Sequence, residues 1–380
     1  MVFVTDRLAE NNRNQVASAP SATGLMSRFL FDPEQVEQQL REHIVGQDHT
    51  IASLRRQLNI IKAGLTDDQR PLMTALFIGD TGVGKTEMVR CIARAIHGRA
   101  DAFCRVDMNT LSQSHYSAAI TGAPPGYVGS KDNLTVIDQE LTEGSNSRPG
   151  IVLFDEIEKA SAEVVRSLMN VLDNGLLTLA SGQKALNFRN TLVFMTSNAG
   201  SVQWQQARHY HWLPQSWQKK QRERIRQQAL RRHFDAEFLN RIHCIETFAG
   251  LNQDSLPSIL NLQIDALNQR LTKRNVRVEF SDQSIRWLCA CDYEQHYGAR
   301  AIQRLFQQRV MAPLAETLLT VSSTAPVVLH AEINNNQLVF TPGPVPDTGN
   351  TPHTPANKAE KGEDNGLFRK MCLREYHFYF

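Results

Sequence analysis

Short apolar runs alternate with amphipathic stretches between residues 32 and 248. Four of these runs have the length expected of buried strands, at residues 73–79, 102–106, 151–155 and 191–196. The stretch Thr86–His97 spaces its apolar residues as a helix does, at Met88, Val89, Ile92, Ala93 and Ile96. A further helix is predicted from Asp32 to Ile44, with Pro33 in its first turn. Such alternation predicts a parallel sheet covered by helices on both faces.

The pattern changes after Gly250, where a second and smaller domain is predicted. Three amphipathic stretches predict helices at Asp254–Arg274, Ser281–Cys289 and Ala299–Leu319, the last with a kink at Pro313. Three short strands are predicted at Val276–Phe280, Val327–Ala331 and Leu338–Thr341. The second domain is therefore expected to be mostly helical.

Four segments result from these changes of pattern. They are a polar tail at residues 1–29, a large α/β domain at 30–248, the small domain at 249–342, and a C-terminal tail at 343–380. The last segment is rich in Pro, Thr, Asn and Lys up to about residue 365, where we expect disorder, and it ends with aromatic residues.

The composition argues against several classes of protein. A net charge of +2 over 380 residues gives no general argument for a nucleic-acid or membrane partner. The six cysteines have no Cys-x-x-Cys spacing, which argues against a zinc site and fits reduced thiols. The N-terminal residues lack the apolar core of a secretory signal, and no apolar run approaches the ~18 residues that cross a bilayer. We therefore expect a soluble, cytoplasmic protein.

The segment from Gly79 to Thr86 fits the phosphate-binding pattern Gly-x-x-x-x-Gly-Lys-Thr. It lies between a predicted strand and a predicted helix, which is the context that this motif requires. Lys85 offers a positive charge to the β- and γ-phosphates, and Thr86 offers a hydroxyl to Mg²⁺. The candidate nucleotide-binding residues are Gly79, Asp80, Thr81, Gly82, Val83, Gly84, Lys85 and Thr86. The sequence therefore predicts a site for a nucleoside triphosphate.

Two carboxylates follow the apolar run that begins at Ile151. In open α/β sheets, ligands collect at the carboxyl ends of the strands. Asp155 is therefore placed to hold Mg²⁺, and Glu156 is the candidate base that activates the attacking water. The alternative is that both acids only stabilise the start of the next helix. The phosphate-binding pattern upstream favours hydrolysis.

Four further motifs carry a resemblance to a known family. They are Gly-Ala-Pro-Pro-Gly-Tyr-Val-Gly at Gly122–Gly129, Thr-Ser-Asn at Thr196–Asn198, Phe-Leu-Asn-Arg at Phe238–Arg241 and Tyr-Gly-Ala-Arg at Tyr297–Arg300. With the nucleotide motifs, this set resembles the Clp-type AAA+ ATPases, in particular the second ATPase module of the unfoldases ClpA and ClpB. The resemblance covers residues 30–342. It implies an AAA+ αβα sandwich with a phosphate-binding loop and a parallel sheet, followed by a mostly helical lid domain.

The resemblance also implies a role for individual residues of an ATP site. Ile44 and Val45 match the segment that contacts the adenine ring. Asn198 matches the polar sensor that places the attacking water. Arg241 matches the arginine finger, which acts on the site of a neighbouring subunit, and Arg300 matches the second sensor. For each arginine, the alternative is a surface ion pair.

Tyr127 and Val128 match the pore loop of the family, where an aromatic ring grips an extended polypeptide. The implied protein is an ATP-dependent unfoldase or remodelling chaperone that uses ATP and Mg²⁺ and forms a ring, usually a hexamer, around a protein substrate. Two alternatives stay open. One is a motor dedicated to the disassembly of one protein assembly, and the other, less favoured, is a DNA-acting machine.

The chain departs from the family pattern at several positions. Asp80 stands where the family often has proline, and because that position has no required contact, hydrolysis is expected to survive. The segment Ala199–Arg222 has no Ile-Gly-Leu or Ile-Gly-Phe tripeptide, which disfavours a ClpP-type peptidase partner. Aromatic residues fill that segment, and a basic helix follows that carries Arg222, Arg224, Arg226, Arg231 and Arg232. We interpret this helix as a solvated surface, with nucleic-acid binding as the disfavoured alternative.

Overall fold

A parallel sheet of five strands forms the centre of the protein in the computed structural model. The structure describes residues 27–112, 137–178, 185–207, 214–251, 255–290, 298–320 and 326–343. In chain order, the strands of the large domain are β1 (Met73–Ile78), β2 (Cys104–Asp107), β3 (Gly150–Asp155), β4 (Leu176–Thr178), β5 (Ala185–Asn187), β6 (Thr191–Ser197) and β7 (Cys244–Thr247). Strands β4 and β5 pair with each other in a separate antiparallel sheet. The five-stranded sheet has the order β2-β3-β6-β1-β7, and each neighbouring pair is parallel.

Strands β1, β3 and β6 are buried at every position, which explains why each is a continuous apolar run in the sequence. In the register of the sheet, Ile78 lies beside Ser197, and Phe154 lies beside Met195. The three strands therefore end at one edge of the sheet. The chain continues from this edge into the phosphate-binding loop, into Glu156 and into Asn198.

Helices cover both faces of this sheet, as predicted. The large domain contains α1 (Pro33–His43), α2 (Asp48–Lys62), α3 (Lys85–His97), α4 (Gln139–Glu143), α5 (Ala162–Asn174), α6 (Ser201–Gln206), α7 (Gln215–His233) and α8 (Ala236–Leu239). Phe77 of β1 packs in a core with α1, α2 and α3, whereas its neighbour Leu76 packs in a second core with α5 and α7. Because successive strand residues point to opposite faces, the two cores lie on opposite sides of the sheet.

A separate apolar core lies in the C-terminal part of the protein. It is built by α9 (Leu256–Leu271), α10 (Asp282–Ala290), α11 (Gly298–Phe306), α12 (Ala312–Thr320), β8 (Val276–Phe280), β9 (Val327–Asn334) and β10 (Gln337–Pro342). Strand β9 pairs parallel with β8 and antiparallel with β10. The turn between β9 and β10 uses Asn335 and Asn336 at positive φ, a conformation that asparagine adopts more readily than most residues.

Several boundaries differ from the prediction. The predicted helix at 299–319 is interrupted by a π-helical turn at Gln307–Met311, directly before the helix that contains Pro313. Proline has no backbone N–H, so the regular ladder cannot continue through it. Strand β7 and helix α2 were not predicted. No helix in the described ranges is long and apolar enough to cross a membrane.

Candidate functional site

The phosphate-binding loop joins β1 to α3, and its three glycines are required for two physical reasons. Gly82 and Gly84 have φ of +79° and +100°, so both use the left-handed region that glycine permits. Gly79 is needed for space instead, because a Cβ there would lie 2.9 Å from the Cβ of Phe248. Val83 is buried in the core beside α3, so only its backbone faces the loop. Thr81 and Thr86 are half-buried, and Thr86 is the second residue of α3.

Lys85 is held by three oxygen atoms. Its Nζ donates to the carbonyl of Gly79 at 2.7 Å, to the carbonyl of Asp80 at 2.9 Å and to Oδ1 of Asn198 at 2.7 Å. An ammonium group has three donors, and all three are used. Burial lowers the pKa of Lys85 to about 8, although nearby carboxylates, chiefly that of Glu158, act in the opposite direction. The ammonium is thus placed inside the loop.

Asn198 connects Lys85 to the carboxylates that follow β3. Its Nδ2 donates to Oε1 of Glu156 at 3.1 Å, and its backbone N–H donates to Oε1 of Glu158 at 3.0 Å. Glu156 itself has φ of 58° and ψ of 51°, a left-handed conformation that costs a residue with a side chain ~1–3 kcal/mol. Its backbone N–H donates to Oγ1 of Thr196 at 3.0 Å, which helps to hold this conformation.

Asp155, the last residue of β3, is buried and bonded on both carboxylate oxygens. Thr196 donates to its Oδ1, while Nε and Nη2 of Arg105 donate to Oδ2 at 3.0 and 2.6 Å. The described ranges contain no group of three or more His, Cys, Asp or Glu that could enclose a metal ion. Proteins usually bind Mg²⁺ through one or two side chains together with substrate phosphates. Asp155 and Thr86 are suited to that arrangement.

The segment Ile44–Gln47 lies at the junction of the large and small domains. Ile44 is buried in the core of the large domain, and Val45 packs against the core of the small domain. Gln47 donates to the carbonyl of Ala249 at 3.0 Å and accepts from its N–H at 2.9 Å. The predicted adenine-contacting residues are therefore held where the two domains meet.

Helix α11 of the small domain touches the phosphate-binding loop. The N–H of Ala299 donates to the carbonyl of Gly82 at 2.8 Å. The approach is so close that a Cβ on Gly298 would lie 2.7 Å from the same carbonyl. Arg300 follows on the same helix and is exposed. The structure thus brings Arg300 near the loop, whereas Tyr297, the first residue of the Tyr-Gly-Ala-Arg motif, lies outside the described residues.

Arg241 lies just after α8 and is bonded to carboxylates within its own chain. Its Nε donates to both carboxylate oxygens of Asp173 at 2.6 Å, and its Nη2 donates to Glu237 at 2.9 Å. The side chain of Arg241 is 20% exposed. The side-chain hydrogen bonds of Arg241 are thus made with α5 and α8 rather than with the residues around Lys85.

The structure adds contacts of charged residues that the sequence analysis did not predict, and it corrects the interpretation of α7. Asp80, a position expected to have no required contact, forms ion pairs with Arg222 and Arg226 of α7. Arg226 is only 5% exposed, so α7 is not a wholly solvated surface. Arg105 and Glu158 were not predicted to belong to the site, and Thr196 was named in the Thr-Ser-Asn motif without a role of its own. Tyr127 and Val128 of the predicted pore loop lie outside the described residues.

Comparisons with known proteins agree with this geometry. Residues 70–245 match the model of the AAA domain (Cdc48 subfamily), and residues 251–328 match that of the C-terminal D2-small domain of ClpB. The chain therefore belongs to the AAA family of ATPases and carries a ClpB-type small domain. Its predicted fold class, its resemblance to Clp-type ATPases and its activity as an ATP hydrolase are confirmed.

Relatives match over different shares of their length. The chain is 45% identical to an ATP-dependent protease ATP-binding subunit-like protein AmiB of Pseudomonas aeruginosa, over 83% of this chain and 86% of the relative. It is 34% identical to the chaperone protein ClpB of Bdellovibrio bacteriovorus, over 80% of this chain but only 34% of ClpB. A closed-state cryo-electron microscopy reconstruction of Hsp104 with ATPγS and FITC casein matches in fold, with a TM-score of 0.68 and 24% identity over 82% of this chain and 51% of that one.

Proposed function

We propose that this ATPase is a polypeptide unfoldase or remodelling chaperone that hydrolyses ATP between the subunits of a ring and pulls its substrate through the central pore. The observation that carries the proposal is the hydrogen bond of 2.8 Å from Ala299 to the carbonyl of Gly82. It joins the phosphate-binding loop to a domain with its own core. A change of nucleotide at the loop can therefore change the angle between the domains, which is how a chemical step produces movement.

Each residue of the site has a proposed role in hydrolysis. The backbone of the loop and Lys85 bind the β- and γ-phosphates. Thr86 and Asp155 hold Mg²⁺, which neutralises charge on those phosphates when bound. Glu156 accepts a proton from the attacking water, and Asn198 orients that water. The bond between Asn198 and Glu156 supports this pairing, since it fixes the carboxylate beside the loop.

Two arginines complete the proposed site from different directions. Arg300 approaches in the same chain, on the helix that touches Gly82. Arg241 acts in trans, on the γ-phosphate of the adjacent subunit, after it leaves Asp173 and Glu237. A guanidinium group in that position offsets the charge that develops during phosphoryl transfer. Because the arginine comes from a neighbour, the active form is a closed ring, proposed to be a hexamer.

The proposed substrate is an extended polypeptide held by Tyr127 and Val128. An aromatic side chain gives a large contact area with few torsions to restrict and little preference for sequence. The name of the ClpB relatives, chaperone proteins, supports a protein substrate. Ile44 and Val45 are proposed to contact the adenine ring from the junction of the domains.

We infer that the ring acts without a ClpP-type peptidase. Some relatives, such as that of Rhodococcus erythropolis, are named for an ATP-dependent protease subunit. The segment Ala199–Arg222 nevertheless has no Ile-Gly-Leu or Ile-Gly-Phe tripeptide that would serve such docking. A nucleic-acid partner is also disfavoured, since the net charge is only +2.

A pair of variants at the pore position tests the proposal. Tyr127→Ala is expected to slow the unfolding of a tagged fluorescent protein by about tenfold or more, because the substitution removes most of the area with which this side chain contacts the substrate. Tyr127→Phe is the matched control and should retain unfolding, since the aromatic ring remains. ATPase activity is measured in parallel. Unfolding by Tyr127→Ala at the rate of the unmodified protein would contradict substrate pulling by this loop.

A further inference from the structure

A cluster of three charged residues, of which Arg226 is buried and Asp80 and Arg222 are partly buried, joins the phosphate-binding loop to helix α7. The Nη2 of Arg222 donates to Oδ2 of Asp80, and the Nη2 of Arg226 lies 3.8 Å from Oδ1 of Asp80. The side chains of Arg222, Asp80 and Arg226 are 24%, 20% and 7% exposed. Asp80 belongs to the loop, whereas both arginines belong to helix α7. The cluster therefore joins two elements that are far apart in the sequence.

We propose that Arg222 and Arg226 are positioning residues for the phosphate-binding loop, which they hold to helix α7 through the carboxylate of Asp80. The contact matters for the site because the carbonyl of Asp80 also accepts a hydrogen bond from Nζ of Lys85 at 2.9 Å. One residue thus receives Lys85 on its backbone and the two arginines on its side chain. This inference rests on the proposed role of the loop in binding phosphates.

Helix α7 also contacts the segment that follows Asn198. A Cβ on Gly200 would lie 2.8 Å from the Cα of Arg226, so the chain just after Asn198 packs directly on the helix. The guanidinium group of Arg222 lies 5.8 Å from the ring centre of Trp204, within the range of a cation–π contact. The helix therefore supports both the phosphate-binding loop and the segment that follows Asn198.

The ion pairs in the cluster are not fully satisfied. Within the described part of the chain, Oδ1 of Asp80, Nε of Arg222 and Nη2 of Arg226 are buried without a hydrogen bond. Burial lowers the pKa of Arg226, which marks the cost of a charge at this depth. Buried charges that are incompletely bonded contribute little net stability but can fix one arrangement of the chain. Fixing the loop is the role that this geometry supports.

A rival explanation makes an opposite prediction. Two guanidinium groups and one carboxylate leave an excess of one positive charge, which could attract a triphosphate by charge alone. In that case, Asp80→Asn would raise the positive charge and tighten nucleotide binding, whereas Arg222→Gln would weaken it. If the residues position the loop, each single variant binds the nucleotide more weakly. The double variant then has the same affinity as the single variant that binds more weakly, because both substitutions break the same contact.

The test is a fluorescence titration of the full chain with mant-ATP, together with steady-state ATPase kinetics. Asp80→Asn and Arg222→Gln are each expected to raise Kd about tenfold, with KM rising by more than kcat falls. Arg222→Lys should recover part of the affinity, because it restores the charge without the planar fork. Arg224→Gln is the matched control on an exposed position of the same helix and should bind as the unmodified protein does.

Two outcomes would overturn the inference: tighter binding by Asp80→Asn, or unchanged Kd in both single variants. Thermal unfolding of each variant shows that a raised Kd does not come from loss of the fold. Lys85→Ala separates this inference from the proposed function. If Lys85→Ala still binds mant-ATP normally, the role of the loop fails; if it loses binding while Asp80→Asn and Arg222→Gln keep it, only the positioning role fails.

Discussion

Asn198 accepts a hydrogen bond of 2.7 Å from Lys85, although the two residues lie 113 positions apart in the sequence. The same side chain donates to Glu156 at 3.1 Å. A single amide therefore links the residue proposed to bind phosphate with the residue proposed to activate water. Phosphoryl transfer depends mainly on positioning and on stabilising charge, so this link is central to the proposed chemistry.

Removal of the lysine should abolish nucleotide binding. Lys85→Ala is expected to raise the Kd for mant-ATP by about a hundredfold or more, because a buried ammonium and its bonds to the phosphates are lost. Lys273→Ala, on an exposed position of the small domain, is the control and should bind normally. Unchanged binding by Lys85→Ala would contradict the assignment of the loop.

Asn198 variants should separate binding from turnover. Asn198→Ala is expected to lower kcat about a hundredfold while ATP is still bound, because Glu156 and the attacking water lose their orientation. Asn198→Asp keeps the shape but replaces the donor to Glu156 by a second carboxylate oxygen, so turnover should fall at least as far. Single-turnover kinetics measure the chemical step. A normal kcat in both variants would remove Asn198 from the mechanism.

Acid is expected to destabilise the fold through His243. Its Nδ1 accepts from the backbone N–H of Thr74 at 2.9 Å, which requires a neutral ring. Burial lowers the pKa of His243 from its ordinary value of 6.5. Below that value the unfolded chain binds a proton that the folded protein does not, so the free energy of unfolding falls as the pH is lowered.

Urea unfolding at pH 7.5 and pH 5.5 measures this effect. His243→Asn keeps an acceptor for Thr74 without the titrating ring and should lose less stability on acidification than the unmodified protein. His233→Asn, at an exposed position on α7, is the control and should show the full loss. If acidification lowers the free energy of unfolding equally in His243→Asn and in the control, His243 does not cause the loss of stability in acid.

A variant that binds ATP without hydrolysing it, and therefore keeps its substrate bound, should distinguish a general chaperone from a dedicated disassembly motor. Glu156→Gln is expected to bind ATP but lower turnover by about 10²–10⁴, because the base is removed while the amide keeps its bond to Asn198. Substrates held by this variant can be recovered and identified by mass spectrometry. Many unrelated proteins indicate a general chaperone, and one assembly indicates a dedicated motor. Release of substrate at the normal rate would show that Glu156 is not required.

The strands next to the site could be predicted because their environment is uniform. β1, β3 and β6 are buried at every position, so their sequences are continuous apolar runs. β7 was missed because buried and exposed residues alternate over only four positions, and its one partner in the sheet, β1, lies far upstream. Its strand state depends on that partner more than on local sequence.

The site was predictable where a backbone pattern defines it and unpredictable where distant side chains meet. Gly82, Gly84 and Lys85 belong to a local motif whose geometry depends on glycine conformation. The contact of Asp80 with Arg222 spans 142 positions and has no local pattern, because each residue by itself fits a solvated surface. The pairing of Arg105 with Asp155 was missed for the same reason.

The most direct test of the central claim, a site completed by two subunits, is a mixture of two inactive variants. Arg241→Ala should bind ATP without turnover, and Glu156→Gln should do the same for a different reason. In a 1:1 mixed ring, about a quarter of the interfaces combine an intact Glu156 with an intact Arg241 from the neighbour.

The measurement is the ATPase rate of this mixture, with ring assembly checked by mass photometry. The account predicts that about a quarter of the normal activity returns on mixing, since each restored interface contains every proposed catalytic group. Mixed rings that hydrolyse no more ATP than the two variants do separately would contradict a site shared between subunits.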